Sequence, residues 1–162
     1  MRSILIFILL AGVASAQTLR AGAAQVVITP PKGAPMAGYY VIRIAQGTHD
    51  DLYAKAIVFE EGGIKVALAA CDVVFLPRDV TEKARQIIAQ KTEIAPDHVM
   101  ISATHDHTGP VIMTSPSRYN LEGETKRIVE DYTDALPGKI AAAVEEANAH
   151  LQPAEIRAAV GH

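Results

Sequence analysis

The chain has 162 residues, of which 49% are hydrophobic and 20% are charged, and its formal net charge is -3 at pH 7. This length allows one modest domain with its own core. Nucleic-acid binding needs a basic surface, so the acidic balance and the lack of a Lys/Arg cluster argue against a nucleic-acid partner. Cys71 is the single cysteine, which excludes an intrachain disulfide, and its apolar surroundings in the sequence predict a buried structural thiol.

The first 16 residues have the pattern of a secretory signal. Arg2 precedes an apolar run over residues 4–14, and an Ala-Ser-Ala tripeptide ends at Ala16. The run is shorter than the roughly 20 apolar residues of a membrane-spanning helix. We therefore expect residues 1–16 to be a cleaved signal peptide and residues 17–162 to form an exported domain, either periplasmic or secreted.

The next part of the chain predicts β-strands. Residues 19–29 alternate loosely and run into a Pro-Pro pair, which indicates a strand followed by a loop. Residues 52–60 and 64–71 flank a Gly-Gly turn, as expected of a β-hairpin. The second of these runs is apolar at nearly every position, which predicts a central strand buried on both faces.

A strand, a helix and a strand follow in an order typical of a parallel crossover unit. Residues 80–91 show helical periodicity and residues 99–103 form a short apolar strand, expected to lie parallel to residues 66–71. A second helical pattern covers residues 124–150 and contains Pro137, which predicts a kink or two abutting helices.

Residues 155–160 indicate one more strand at the end of the chain. The predicted fold is α/β, with a mixed sheet that is largely parallel in its centre, an added β-hairpin and flanking helices.

The loop after the strand at 99–103 has the densest concentration of reactive side chains. In open α/β sheets, ligands bind at the carboxyl ends of the strands, where this loop is expected. His105 and His107 are one residue apart, and in extended backbone both imidazoles would face the same side and converge on one metal ion or substrate group. A solvated polar loop is the alternative interpretation.

Imidazole is a ligand that zinc prefers, and a catalytic zinc usually takes three protein ligands and a water. At least one further ligand is therefore expected from His49, Asp72, Asp106 or residues outside the chain. His49 is equally compatible with a charged loop and Asp72 with a turn or a cap. Gly38 either allows a close approach to a ligand or forms a plain turn.

Several sequence blocks, in the same order, resemble the N-terminal region of the neutral/alkaline non-lysosomal ceramidase family. The resemblance covers nearly all of residues 17–162, and the last block is the most specific. The blocks are AGAA at 21–24, VITP at 27–30, MAGY at 36–39, GTH at 47–49, CD at 71–72 and SATHDHTGP at 102–110.

Members of this family are zinc hydrolases that cleave the amide of ceramide into sphingosine and a fatty acid. The resemblance implies that His105 is a zinc ligand and that His107 lies beside the metal, where it stabilises the reacting amide or transfers a proton. Gly38 matches a glycine that lines the substrate site near the metal. The remaining ligands of the family lie further along than residue 162, so we expect an incomplete, N-terminal part of a larger catalytic domain.

The sequence departs from the family pattern at Asp106 and Thr108, where the family usually has threonine and serine. The resemblance implies Zn²⁺ as cofactor, a ceramide-like or other amide as substrate, and peripheral contact with a membrane; the oligomeric state stays open. The alternative is a truncated, catalytically inactive domain that binds a lipid or a partner.

Overall fold

The computed structural model describes residues 18–115 and 117–160; the predicted signal peptide lies outside the described residues. The fold is mixed α/β, as predicted, with a five-stranded sheet and two helices. The strands are β1 (Arg20–Val27), β2 (Pro35–Met36), β3 (Arg43–Ile44), β4 (Tyr53–Glu61), β5 (Ile64–Cys71), β6 (Val99–Ala103) and β7 (Gln152–Pro153), and the helices are α1 (Arg78–Thr92) and α2 (Gly123–Ala149).

The main sheet has the strand order β6-β5-β4-β1-β7, and a two-stranded sheet joins β2 to β3. The predicted hairpin is present as β4 and β5, and β5 pairs with β6 in parallel, as the crossover pattern predicted. The expectation of a largely parallel centre is wrong, because the other three pairs of the main sheet are antiparallel. These pairs are β4–β5, β1–β4 and β1–β7. The tight turn between β4 and β5 reverses the chain, so the parallel pair lies at one edge of the sheet.

Helix α2 runs without interruption through Pro137, so the sequence-based alternative of two abutting helices is wrong. Proline inside a helix removes one hydrogen bond and costs about 3 kcal/mol. Its neighbours offset this cost by burial, since Leu136 and Ile140 are completely inaccessible to solvent. Burying one such side chain contributes about 1.5–3 kcal/mol.

Both helices pack on the same face of the sheet. Alternate residues of β4 and β5 point to them and are buried, among them Val58, Ala67 and Cys71. Gly22 brings β1 close to α2, because a Cβ atom there would overlap the carbonyl oxygen of Ala147. The core therefore lies between one layer of helices and one layer of strands.

The other face of the sheet is open. Leu68 and Val66 are each 38% exposed, and Met100 on the neighbouring strand is 57% exposed. The expectation that β5 would be buried on both faces is therefore wrong. Its apolar run predicted two covering layers, but both helices of the described chain lie on one side.

The predicted strand at residues 155–160 is absent, and β7 is limited to two residues that pair with Arg20 and Ala21. The register explains this difference. Because β7 is antiparallel to β1 and Pro153 pairs with Arg20, the first residue of β1, the residues after Pro153 run past the end of β1. Within the described residues, none of the helices combines the length and the apolar character needed to cross a membrane.

Candidate functional site

The histidine loop, residues 104–110, begins at the edge of the sheet where β5 and β6 end. The Thr104 N–H donates to the Cys71 carbonyl at 2.9 Å, which continues the parallel pairing by one residue. The next two N–H groups, of His105 and Asp106, both donate to the Val73 carbonyl at 3.1 and 3.2 Å. The loop therefore starts at the carboxyl end of the parallel pair, as the sequence predicted.

His105 is held by the backbone of the neighbouring loop. Its Nδ1 lies 2.8 Å from the carbonyl oxygen of Val74. A carbonyl only accepts hydrogen bonds, so Nδ1 carries the proton, and in the neutral imidazole Nε2 keeps a free lone pair. Metal-binding histidines commonly have this arrangement, in which a backbone carbonyl orients the ring and sets the tautomer. The sequence offered no sign of the Val74 contact.

His107 turns its own Nε2 towards this lone pair. The two Nε2 atoms are 3.3 Å apart, and the ring centroids are separated by 5.0 Å. With His105 neutral, the Nε2–H of His107 donates to Nε2 of His105. The rings therefore converge, but not through an extended backbone as expected, because His105 has a φ of 65° in the left-handed region.

Gly38 forms the floor under His107. Its φ is +85°, and a Cβ atom there would lie 2.5 Å from Cγ and 2.6 Å from Nδ1 of the His107 ring. Two backbone hydrogen bonds join the segment around Gly38 to the end of the histidine loop. The Ala37 N–H donates to the Gly109 carbonyl at 2.9 Å, and the Val111 N–H donates to the Pro35 carbonyl at 2.8 Å. Glycine is thus required both by the backbone conformation and by the ring that packs on it.

A depression of about 550 Å³ contains the two histidines and is lined mainly by apolar and aromatic side chains. Tyr39 meets His107 in a T-shaped contact with the ring centroids 6.4 Å apart. The Tyr119 hydroxyl donates to the Tyr39 carbonyl at 3.0 Å, and the Arg43 guanidinium lies 4.3 Å above the Tyr39 ring. Of these, only Tyr39 belongs to a sequence block that stood out, because Tyr119 in its loop and Arg43 in the two-residue strand β3 lie in segments without a recognisable pattern.

The other residues considered as metal ligands are engaged elsewhere. Asp72 accepts from the Tyr53 N–H at 3.0 Å and from the Thr104 hydroxyl at 3.3 Å, which agrees with the turn interpretation. Asp106 accepts from the N–H and the hydroxyl of Thr108 at 2.9 and 2.7 Å. His49 has a side chain 98% exposed, bonds to its neighbour Asp50, and lines a different depression.

The histidine pair fits part of a zinc site. The free Nε2 lone pair of His105 can bind one zinc, and the Nε2 atom of His107, 3.3 Å from it, would lie beside that metal. The described residues contain no group of three or more His, Cys, Asp or Glu side chains that could hold a metal. A catalytic zinc site would therefore need a further ligand from outside the described residues.

Cys71 takes no part in this chemistry. It is completely buried, and burial, reinforced by the negative charge of Asp72, raises the pKa of its thiol to about 12. A thiol becomes a nucleophile or a metal ligand only as the thiolate. The prediction of a buried structural cysteine is confirmed.

Two solved structures are similar to the chain. One is neutral ceramidase from Pseudomonas aeruginosa, with a TM-score of 0.71 and 26% identity over 86% of this chain and 23% of that one. The other is a ceramidase complexed with C2, with a TM-score of 0.64 and 26% identity over 85% of this chain and 22% of that one. A comparison with curated proteins gave no match.

The chain spans less than a quarter of the length of both solved structures. A sequence profile described as "Neutral/alkaline non-lysosomal ceramidase, N-terminal" matches residues 20–162, which include both histidines and Gly38. The predicted resemblance is thus confirmed along almost the entire described chain, and the chain belongs to the neutral/alkaline non-lysosomal ceramidase family, whose N-terminal part it matches.

Proposed function

We propose that this chain carries part of the active site of a zinc-dependent hydrolase of linear amides, with a ceramide-like lipid as the substrate class. The observation that carries the proposal is the convergence of the His105 and His107 Nε2 atoms at 3.3 Å, above the backbone of Gly38. The family membership and the similarity to a ceramidase complexed with C2 support the same chemistry.

In this proposal, His105 binds zinc through Nε2, because its Nδ1–H is already donated to the Val74 carbonyl. When bound, zinc would polarise the amide carbonyl and lower the pKa of a bound water towards about 7. His107, with its Nε2 facing the same point, stabilises the reacting amide or transfers a proton to the leaving amine. Gly38 leaves the space in which the His107 ring lies.

The aromatic lining suits an apolar acyl chain. Tyr39 and Tyr119, with Phe75, line the depression around the histidines. Apolar surface is removed from water when an alkyl chain contacts such rings, and this contributes about 25 cal/mol per Å². The chain's own residues would thus hold the acyl part of the substrate beside the two imidazoles.

The second candidate function is an inactive domain that binds a lipid or a partner. The observation in its favour is that the described residues offer two convergent nitrogen donors and no third ligand. Catalytic zinc needs three protein ligands, so a chain restricted to these donors would bind the metal weakly.

Zinc content separates the two functions. We expect the protein, produced together with the segment that supplies the further ligand, to hold close to one zinc per chain, measured by elemental analysis, and its His105→Ala variant to lose it. The matched control is His49→Ala, which removes an exposed imidazole from a different depression and should leave the zinc content unchanged. Circular dichroism would confirm that all three proteins are folded.

A folded wild-type protein that holds no zinc although that segment is present would contradict the metal site and favour the inactive binding domain. Equal loss of zinc in His49→Ala and His105→Ala would show that the metal is bound nonspecifically. Stoichiometric zinc together with release of fatty acid from a short-chain ceramide would establish the hydrolase.

A further inference from the structure

Positive charge is concentrated beside the histidine pair. Arg118 is the charged residue among those lining the depression around His105 and His107, apart from the histidines themselves. An adjoining depression of about 530 Å³ shares Arg118 and Tyr119 with it and adds Lys126. Neither depression has an Asp or Glu side chain among the described residues that line it. The two depressions therefore adjoin at Arg118, and the charged side chains that line them are positive.

Carboxylates also lie close by, although none lines either depression: Asp106 stands between the two histidines, and Glu130 lies 3.8 Å from Lys126. A third depression, away from the histidines, is lined by four carboxylates and one arginine, and a fourth contains Asp50 and Asp51. The lining of the candidate site therefore favours anions more than the linings of these two depressions do. The carboxylates of the third depression are Asp79, Glu82, Glu130 and Asp134.

Arg118 is exposed, and no ion pair or hydrogen bond of its side chain occurs within the part of the chain that the structure describes. Lys126 is more engaged, since its Nζ lies 3.8 Å from a carboxylate oxygen of Glu130. An exposed pair at this distance contributes little. The guanidinium of Arg118 is therefore the group best able to bind an incoming anion, because its planar fork matches the two oxygens of a carboxylate or phosphate.

We propose that Arg118 binds an anionic oxygen group of the substrate, a carboxylate or a phosphate, and thereby favours acidic amides over neutral ones. The proposal rests on the proposed function and narrows its substrate class, from ceramide-like lipids in general to those amides that also carry an anionic oxygen group. The aromatic side chains of Tyr39 and Tyr119 would contact the apolar part of the molecule. An N-acyl amino acid combines these features in one compound.

Binding of a matched pair of ligands to the metal-free 162-residue chain tests this assignment. N-octanoylglycine and N-octanoylglycinamide share the acyl chain and the amide, and differ in the negative charge. We expect the acid to bind about tenfold more tightly in an NMR titration, as one charge-assisted hydrogen bond predicts. In Arg118→Gln the two affinities should become equal, and Arg118→Lys should keep part of the preference.

The control variant is Arg127→Gln, which removes an equal charge from an exposed position that lines neither depression. It should change the affinity for the acid less than twofold. A preference for the acid that survives in Arg118→Gln, equal affinities in the wild-type protein, or no binding of either compound would overturn the assignment.

Octyl phosphate distinguishes the two sources of the anion. Tighter binding of octyl phosphate than of N-octanoylglycine would support a phosphate-bearing lipid, and the reverse order would support a carboxylate. Because the titrations use metal-free protein, they can be interpreted whether or not the protein takes up zinc, so failure of the hydrolase proposal and failure of this one are separate results.

Discussion

At the scale of single residues, His105 shows how one backbone conformation arranges the candidate site. Its φ of 65° lies in the left-handed region, which costs a non-glycine residue of the order of 1–2 kcal/mol. The cost is met by the hydrogen bond between its N–H and the Val73 carbonyl and by the bond between its ring and the Val74 carbonyl. Both bonds come from the segment that follows β5, so the strand end and the histidine are positioned together.

Gly38→Ala tests the packing of the histidine pair. A methyl group at Gly38 would overlap the His107 ring and would also be strained at φ +85°. We expect the free energy of unfolding to fall by about 1–3 kcal/mol and the His107 ring to be displaced. Urea denaturation measures the first effect, and the chemical shifts of the two histidine rings measure the second.

Gly47→Ala is the matched control, because a Cβ atom at Gly47 has no heavy atom within 4 Å. Its effect should stay within about 0.5 kcal/mol. Histidine shifts that remain unchanged in Gly38→Ala would show that the ring does not lie against this backbone in solution.

At the scale of elements, the contact between β1 and α2 depends on a missing side chain. Gly22 faces the last turn of α2, where a Cβ atom would lie 2.8 Å from the carbonyl carbon of His150 and 2.9 Å from the nitrogen of Leu151. These neighbours are backbone atoms and cannot rotate away. The close approach lets α2 cover the small residues of the sheet.

A pair of glycine substitutions in these elements should have opposite signs. Gly22→Ala should lower the free energy of unfolding by more than about 3 kcal/mol, because β1 and α2 must separate. Gly138→Ala, at an exposed position in the interior of α2 with open space around it, should raise it by about 0.5–1 kcal/mol through the better helix propensity of alanine.

Chemical denaturation of both variants beside the wild-type protein measures these changes. If Gly22→Ala were as stable as the wild type, α2 would not pack against β1 as closely as described. If Gly138→Ala were destabilising, that part of α2 would not be a regular helix.

At the scale of the whole molecule, the core contains two ionisable groups that must stay neutral. Cys71 on β5 and Tyr132 on α2 are both buried where the helices meet the sheet. Burial raises the pKa of each, with a smaller contribution from Asp72 for the thiol and from Cys71 for the phenol. The Tyr132 hydroxyl donates to the Ile28 carbonyl at 2.8 Å, which links α2 to the loop after β1.

The raised pKa of Cys71 predicts a loss of stability in alkali. The unfolded thiol ionises near its ordinary pKa of 9.0, whereas the folded thiol keeps its proton up to about 12. The contribution of this group is therefore fully present below pH 9 and is lost as the pH rises towards 12. One proton gives a slope of about 1.4 kcal/mol per pH unit in this window.

Cys71→Ala isolates this effect from the lysines and other tyrosines that titrate in the same window. The cavity that this substitution leaves lowers the free energy of unfolding by a similar amount at every pH. The comparison therefore uses the slope of that free energy, measured with urea, against pH between about pH 8 and pH 10.5. We expect a shallower slope in the variant. Equal slopes would mean that the thiol is accessible to solvent in the folded protein.

The helices and strands were largely predictable because their signals are local. The Gly-Gly turn predicted the hairpin, and the strand-helix-strand order predicted the parallel pairing of β5 and β6. The course of α2 through Pro137 was not predictable, because it depends on the burial of neighbouring side chains by the sheet. The open face of β5 was also not predictable, because an apolar run does not indicate whether one or both faces of the strand are covered.

The sequence by itself determined the family, the order of the elements and the identity of the two histidines, because these depend on residue types at fixed spacings along the chain. Only the tertiary structure decided what these residues touch. The Val74 carbonyl that orients His105, the Gly38 backbone under His107 and the place of Arg118 beside them come from separate loops. These loops meet because the strands end at the same edge of the sheet and because backbone hydrogen bonds join the loops to each other. Residue spacing along the chain does not predict such contacts.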